Sequence, residues 1–278
     1  MKDLDRNFKK SGRRKQMHKK DDAGFPKDSR VNEADAPENR IEGRNPVLEA
    51  LRSGRTVEKL LIARGSSEGS IREIVKRAGE SGTVIQEIDR QRLDEISLSG
   101  AHQGVIAYVT PYKYAEVEEM LEAAGERGEA PFLIILDEIT DPHNLGAVMR
   151  TAECCGAHGV IIPKRRSAGL TPAAIKASAG AVEYMPVGRV TNLARLLEDL
   201  KKQGIWIAGA DPEGSPYTAQ DLTGPIALVI GSEGRGLGRL VREKCDFLVS
   251  IPLKGRIESL NASVAAGILM YEVVRQRG

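Results

Sequence analysis

Two pentads, Phe132-Leu-Ile-Ile-Leu136 and Ile226-Ala-Leu-Val-Ile230, contain no polar residue. A strand with one face in water alternates apolar and polar residues, so an unbroken apolar run of this length belongs to a strand covered on both faces. The spacing predicts further strands near residues 159–163, 183–187, 205–210 and 247–251. Helical spacing falls between and after them, near 144–155, 171–179, 192–203, 237–244 and 260–275. Doubly buried strands alternating with helices make a largely parallel sheet with helices on both sides. Residues 131–278 therefore read as one α/β domain.

A smaller α/β domain is predicted over residues 41–112. Asn45 is placed as an N-cap, Pro46 as the first helical residue and Gly54 just beyond the helix end. Lys59–Ala63 reads as a strand. Ser70 and Glu73 have capping-box spacing for a helix ending near Gly79. Thr83–Ile88 is a second strand, Asp89 caps a short helix through Ile96, and Gly104–Thr110 is a third strand. Residues 113–130 read as a linker, with a turn or two of amphipathic helix around Val117, Met120 and Leu121.

Charge is unevenly spread. Residues 1–20 hold nine Lys/Arg against Asp3 and Asp5, a local net of +7, so the other 258 residues sum to about −5 against the chain's net +2. Residues 1–40 lack apolar periodicity and are expected to form a disordered basic arm. Such an arm suits a polyanion, which it would bind by releasing counterions; a solubilising tail is the alternative. No apolar run approaches the ~20 residues of a membrane span, and no apolar signal segment follows Lys2, so no membrane partner is expected. Cys154, Cys155 and Cys245 fit neither a disulfide framework nor zinc-ligand spacing, which suits a reducing cytoplasm.

Three segments crowd small and polar residues where a strand gives way to a helix. They are Leu136-Asp-Glu-Ile-Thr-Asp-Pro-His-Asn-Leu-Gly-Ala-Val-Met-Arg150, Val229-Ile-Gly-Ser-Glu-Gly-Arg-Gly-Leu237 and Ile251-Pro-Leu-Lys-Gly-Arg-Ile-Glu-Ser-Leu-Asn-Ala-Ser-Val-Ala-Ala-Gly267. Polar groups at the mouth of so apolar an element need partners, which a ligand or reacting group could supply. The glycines of Gly231–Gly238 match neither a dinucleotide fingerprint nor a P-loop. Taken singly, Asn144 reads as a helix cap, Arg150 as a solvated charge, and Ile251 and Leu260 as core.

In this order and spacing the three segments resemble the signature motifs of the SpoU (TrmH-type) RNA 2′-O-ribose methyltransferases of the SPOUT superfamily, over about the last 150 residues. The resemblance implies a parallel-sheet domain with a deep trefoil knot, a rare exception to unknotted topology. It implies S-adenosyl-L-methionine as cofactor, held by Gly231, Ile251 and Leu260, with Ala210 as a further candidate. It also implies catalytic roles for Asn144, Arg150, Glu233, Ser259 and Asn261, and requires no metal. Guanidinium hardly deprotonates, so Arg150 is expected to hold phosphate and stabilise a developing alkoxide, not to act as a base.

Gly43 with Asn45-Pro-Val-Leu-Glu-Ala50, and His102-Gln-Gly104, resemble the ribosomal-protein-like RNA-binding domain attached to ribosomal-RNA members of the family. His102 alone reads equally as a buried loop histidine bonded to backbone. The two-domain layout implies a guanosine of large-subunit (23S) ribosomal RNA as substrate, with no DNA partner. Transfer RNA, antibiotic-resistance methylation and a non-catalytic RNA-binding assembly factor are the alternatives. A homodimer is also expected. The last helix is apolar over more than one face (Ala262, Val264, Ala265, Ile268, Leu269, Val273), so it must be covered on two sides, by its own sheet and by a partner or the knot itself.

Overall fold

Every residue of the pentads Phe132–Leu136 and Ile226–Ile230 is buried, as cover on both faces requires. The computed structural model describes residues 39–66 and 69–278, so the expected basic arm lies outside the described residues except for its last two positions.

The chain begins with β1 (Arg40–Glu42), α1 (Arg44–Arg52), β2 (Val57–Ala63), α2 (Ser70–Glu80), β3 (Val84–Ile88), α3 (Arg90–Ile96) and β4 (Val105–Val109). The strands form one sheet in the order β1-β4-β2-β3, with β2 and β3 parallel and β4 antiparallel to both β1 and β2. Ile41, Leu60, Ile62 and Val105 pack under α1 and α2, while Leu61 and Ile106 pack on Leu93 of α3. None of the three expected caps forms its side-chain bond: Asp89 stands at the N-cap of α3 but pairs with Arg64 (3.0 Å) instead. Helix α1 starts one residue before Asn45, directly after Gly43, and Ser70 makes no capping bond. Glu73 instead accepts from Arg52 and Arg77 (2.8 and 3.0 Å), and charge-assisted bonds of that kind outcompete a cap.

The expected linker contains a helix of three turns, α4 (Val117–Arg127), closed by a Glu116/Glu119 capping box and by Gly128 in the left-handed region. Met120 is fully buried beneath it, over Gly159, where a Cβ would lie 2.1 Å from the sulfur. Then follow β5 (Phe132–Leu136), α5 (Pro142–Cys154), β6 (Gly159–Pro163), α6 (Pro172–Ala177), β7 (Val187–Val190), α7 (Leu193–Lys202), β8 (Trp206–Pro216), β9 (Ile226–Ile230), α8 (Arg239–Lys244), β10 (Phe247–Ser250) and α9 (Ala262–Arg277). The strand expected over 183–187 starts only at Val187, after a 3-10 turn at Ala181–Glu183.

These six strands form one parallel sheet in the order β10-β8-β9-β5-β6-β7. The order runs outward in both directions from β5 and β9, and in such sheets ligands bind beyond the carboxyl ends of the strands at that switch. All three polar segments leave the sheet on this edge. The two sheets meet along a seam where Arg55 Nη1 is 2.8 Å from Glu183 Oε1 and the Tyr184 hydroxyl donates to Glu49 (2.7 Å). The Tyr112 hydroxyl accepts from Val187 N and donates to Met185 O (3.1 and 3.3 Å). Among the described residues no helix is long and apolar enough to cross a membrane, and no group of His, Cys, Asp and Glu is placed to hold a metal ion.

Candidate active site

A cleft of about 360 Å³ opens beyond the ends of β8, β9 and β10. Ala210, Gly231, Ile251 and Leu260, the four residues expected around a cofactor, all line it, as do Glu233 and Ser259. Its apolar wall includes Ile230, Val249 and Leu269. Among the described residues its charged lining is Asp211, Glu233 and Glu258, with no Lys, Arg or His.

The glycine loop after β9 closes on itself. Ser232 N donates to Gly236 O and Gly236 N to Ser232 O (3.1 and 2.9 Å). Gly234 and Gly236 supply the positive φ values, 80° and 64°, that the reversal needs. Gly231 is required for another reason: a Cβ there would lie 2.2 Å from the carbonyl carbon of Gly236. Its missing side chain makes room for the loop's own backbone. The far end of the loop is tied to β5, where the buried Asp137 carboxylate accepts from Gly238 N at 2.7 Å. Burial pushes the Asp137 carboxyl up, with the Gly238 N–H acting in the opposite direction.

Asn144, Glu233 and Asn261 meet. Glu233 Oε1 accepts from Asn144 Nδ2 (3.0 Å), Asn261 Nδ2 (2.7 Å) and Ala262 N (3.0 Å), and Asn261 Nδ2 also reaches Asn144 Oδ1 (2.9 Å). One carboxylate oxygen thereby joins the start of α5, the glycine loop and the start of α9. Asn261 is the N-cap of α9, its Oδ1 accepting from Ser263 N and Val264 N. Asn144 caps nothing. Asp141 caps α5 by accepting from His143 N (3.0 Å), with Pro142 at the first helical position, and Asn144 is buried one residue beyond His143. Asp141-Pro142 is itself the sequence signal for this start.

Arg150 is not part of this junction. It lies six residues beyond Asn144 on α5, about 9 Å along the axis and roughly 120° around it. Its side chain is exposed, with no hydrogen bond or ion pair among the described residues. Ser259 lines the cleft, and its hydroxyl makes no hydrogen bond among the described residues.

Sequence reasoning passed over Asp137 and Asp211. Asp211 follows Ala210 at the cleft wall, where Oδ2 accepts from Arg242 Nε (2.8 Å) and Oδ1 from Glu213 N (2.9 Å). Burial opposes its charge, but these two bonds outweigh it and hold the carboxyl below the usual range. Gly238 lies 101 residues beyond Asp137 and Arg242 lies 31 beyond Asp211, so these contacts leave no local pattern, and only the Asp211 turn to Glu213 is local. His102 is buried, with Nδ1 accepting from Gly104 N (3.0 Å) and Nε2 2.8 Å from Asp94 Oδ1.

Residues 131–271 match the model of the SpoU rRNA Methylase family, and residues 40–115 match that for RNA 2′-O ribose methyltransferase substrate binding. The chain is 52% identical over 236 residues to YacO of Bacillus subtilis (strain 168), assigned by name to the TrmH family of tRNA/rRNA methyltransferases; the match covers 84% of this chain and 94% of that one. A Staphylococcus saprophyticus protein assigned by name to the same family is 48% identical over 238 residues, covering 85% and 95%. Among solved structures, the SpoU methyltransferase AviRb from Streptomyces viridochromogenes, in complex with AdoMet, superposes with a TM-score of 0.72 at 27% identity, covering 86% and 90%.

Proposed function

Because the chain belongs to the SpoU rRNA Methylase family, we propose that it transfers a methyl group from S-adenosylmethionine to the ribose 2′-hydroxyl of a guanosine in large-subunit (23S) ribosomal RNA, as a cytoplasmic homodimer. The observation that carries this reading is the junction of Asn144, Glu233 and Asn261 at the cleft, where all three motif segments converge. The cleft suits the cofactor. Its apolar wall and self-closed glycine loop present backbone to a nucleoside, and of its three lining carboxylates Glu233 and Glu258 have no ion pair among the described residues, which favours the net positive charge that a sulfonium brings.

When bound, the cofactor supplies an activated methyl group on a sulfonium. Transfer would exchange the S–CH₃ bond for an O–CH₃ bond, leaving a thioether and passing the hydroxyl proton to solvent water. The role assigned to this chain is placement. Ser259, beside the cleft, orients the 2′-hydroxyl. Glu233, with both asparagine amides and the Ala262 N–H on one oxygen, fixes the two loops that frame it. Ala210, Gly231, Ile251 and Leu260 hold the cofactor. Arg150 lies outside the junction, so its proposed task is to clamp a phosphate beside the target and stabilise the developing alkoxide, from the same chain or from the second copy.

The exposed Val264 and Tyr271 of α9 support a homodimer, since that helix already packs its other side on α5 and β9. The same packing, reached after the chain has crossed to the outer strand β10, supports assigning the family's trefoil knot to this region. Residues 41–112 are assigned to RNA binding, 113–130 to the connection and 131–278 to methyl transfer. The substrate-binding match at residues 40–115 supports an RNA substrate, and ribosomal RNA is assigned on the two-domain layout.

Radiolabelled methyl transfer to unmodified 23S ribosomal RNA and to transfer RNA tests the reading. Label entering a single 23S position, mapped by comparing strains with and without the gene, is the expected result. Label entering transfer RNA alone would reject the assigned substrate, and label entering neither would favour an assembly factor.

A further inference from the structure

Strands β5 and β6 run into loops where Glu138 and Arg166 both have φ of 58°, a left-handed backbone uncommon outside glycine and sustained only where neighbouring contacts fix it. These two residues hold each other, Arg166 Nη1 donating to Glu138 Oε1 at 3.2 Å. Ala168 N donates to Ile139 O (2.8 Å), joining the loops one step further on. At its start the β6 loop is held by Arg189, which donates to Lys164 O (3.3 Å). A short loop fixed in this way presents Lys164-Arg165-Arg166, all three exposed. Among the described residues the side chains of Lys164 and Arg165 make no hydrogen bond or ion pair, and Arg166, 81% exposed, commits one N–H of its fork.

The position of this loop gives the charge a use. In the sheet β6 is two places from β9, so the loop stands about 10 Å from the glycine loop on the same edge. Glu138 adjoins Asp137, which itself holds Gly238. On the other side Arg189 lies over the Tyr114 ring (5.2 Å), in the segment arriving from the first sheet. Among the described residues the cleft lining holds three carboxylates and no cation, and although Arg242 offsets Asp211 from outside, Glu233 and Glu258 have no ion pair, so the cleft repels the phosphates that flank a nucleotide brought into it. A substrate strand therefore needs cations beside the cleft.

We propose that the Lys164-Arg165-Arg166 loop is a phosphate landing for the RNA strand, holding the backbone that flanks the target ribose; this rests on the reading that the chain methylates RNA. Because the loop's shape is fixed by the Glu138 clasp, its charges are placed before RNA arrives. A solvated basic turn would show the same exposure, and salt dependence separates the two.

The test uses the full chain with Lys164→Gln/Arg165→Gln, which spares the clasp, and a triple variant adding Arg166→Gln. Binding of an unmodified transcript of large-subunit ribosomal RNA is measured across a salt titration, with S-adenosylhomocysteine affinity measured by calorimetry as the check on folding. At about 0.7 counterions per single-strand phosphate contact, the slope of log K against log salt should shrink by roughly 1.4 in the double variant and roughly 2 in the triple. The triple variant should lose on the order of 50-fold in RNA affinity at ~0.15 M salt, with cofactor-product affinity unchanged. A slope unchanged in the double variant would overturn the proposal, as would wild-type RNA binding with no salt dependence. RNA binding that follows the expected slopes without any methyl transfer would reject the assigned activity and leave the landing standing.

Discussion

The seam between the two sheets rests on a buried charge pair whose removal should be costly. Arg55 and Glu183 side chains are 9% and 5% exposed, with Nη1 and Oε1 2.8 Å apart. Arg55 also donates Nε and Nη2 to Thr110 O, at 3.2 and 2.6 Å. Arg55→Ala leaves the Glu183 carboxylate buried without its counter-charge, which costs about 3–5 kcal/mol, and removes both donors from the half-buried Thr110 carbonyl, about 1 kcal/mol more if no water replaces them. Glu183→Ala strands the guanidinium but leaves its bonds to Thr110, so its cost should stay near the first of those figures. In the double alanine variant neither charge is stranded, and the cycle should return a favourable coupling of roughly 1–3 kcal/mol. Against a total stability of about 5–15 kcal/mol, the single changes should shift the urea midpoint visibly. Methyl transfer to RNA should fall more than S-adenosylhomocysteine affinity, because the cleft lies wholly on the second sheet while RNA is expected to touch both. Single variants costing under ~1 kcal/mol, as an exposed ion pair would, with no measurable coupling, would refute the view that this contact locks the sheets together.

Three further outcomes are expected. Gly231→Ala should weaken S-adenosylhomocysteine binding at least ~10-fold in calorimetry while circular dichroism stays native, because the new Cβ meets backbone 2.2 Å away and the loop must open; unchanged affinity would show that the loop yields freely. Burial raises the Asp137 carboxyl above its unfolded value, so the folded state binds this proton more tightly and Asp137 withdraws stability as pH rises from the unfolded pKa through the folded one. Asp137→Asn should therefore gain stability relative to the wild type as pH rises above the ordinary carboxyl range of about 4 in urea titrations, provided the amide oxygen keeps the Gly238 bond, and a difference independent of pH would contradict the assignment. Arg150→Lys should lower turnover on the order of 100-fold with cofactor affinity unchanged, since lysine keeps the charge but lacks the planar fork. Rescue at raised pH with a lysine-like pKa would favour a base instead of a clamp, and near-normal turnover at neutral pH would remove Arg150 from the chemistry.

What could be read ahead of the structure depended on how far each residue's partners lie along the chain. Phe132–Leu136 and Ile226–Ile230 declare themselves because burial on both faces is a property of the strand itself. Asn261 also caps its own helix, a local act. Local signals failed where a distant group competed for the same side chain. Glu73 has the spacing of a capping box, yet Arg52, 21 residues earlier, takes its carboxylate. Asn144 has the composition of a cap, yet its amide is turned to Glu233, 89 residues on, while Asp141 does the capping. Helix α4 is legible only as a turn or two around Val117, Met120 and Leu121, because Gly125 and Gly128 read as linker, although Ala124 keeps the helical spacing and Gly128 is the left-handed residue that ends the helix. The same reasoning explains why motif order located the cleft while residue chemistry alone did not. Each segment's polar groups look unpartnered in sequence because their partners sit on the other two segments, and only a parallel sheet with all its carboxyl ends on one edge brings the three together. Arg150 marks the limit of that logic: its side chain has no partner among the described residues of its own chain, so its meaning depends on molecules that the chain meets and not on the chain's fold.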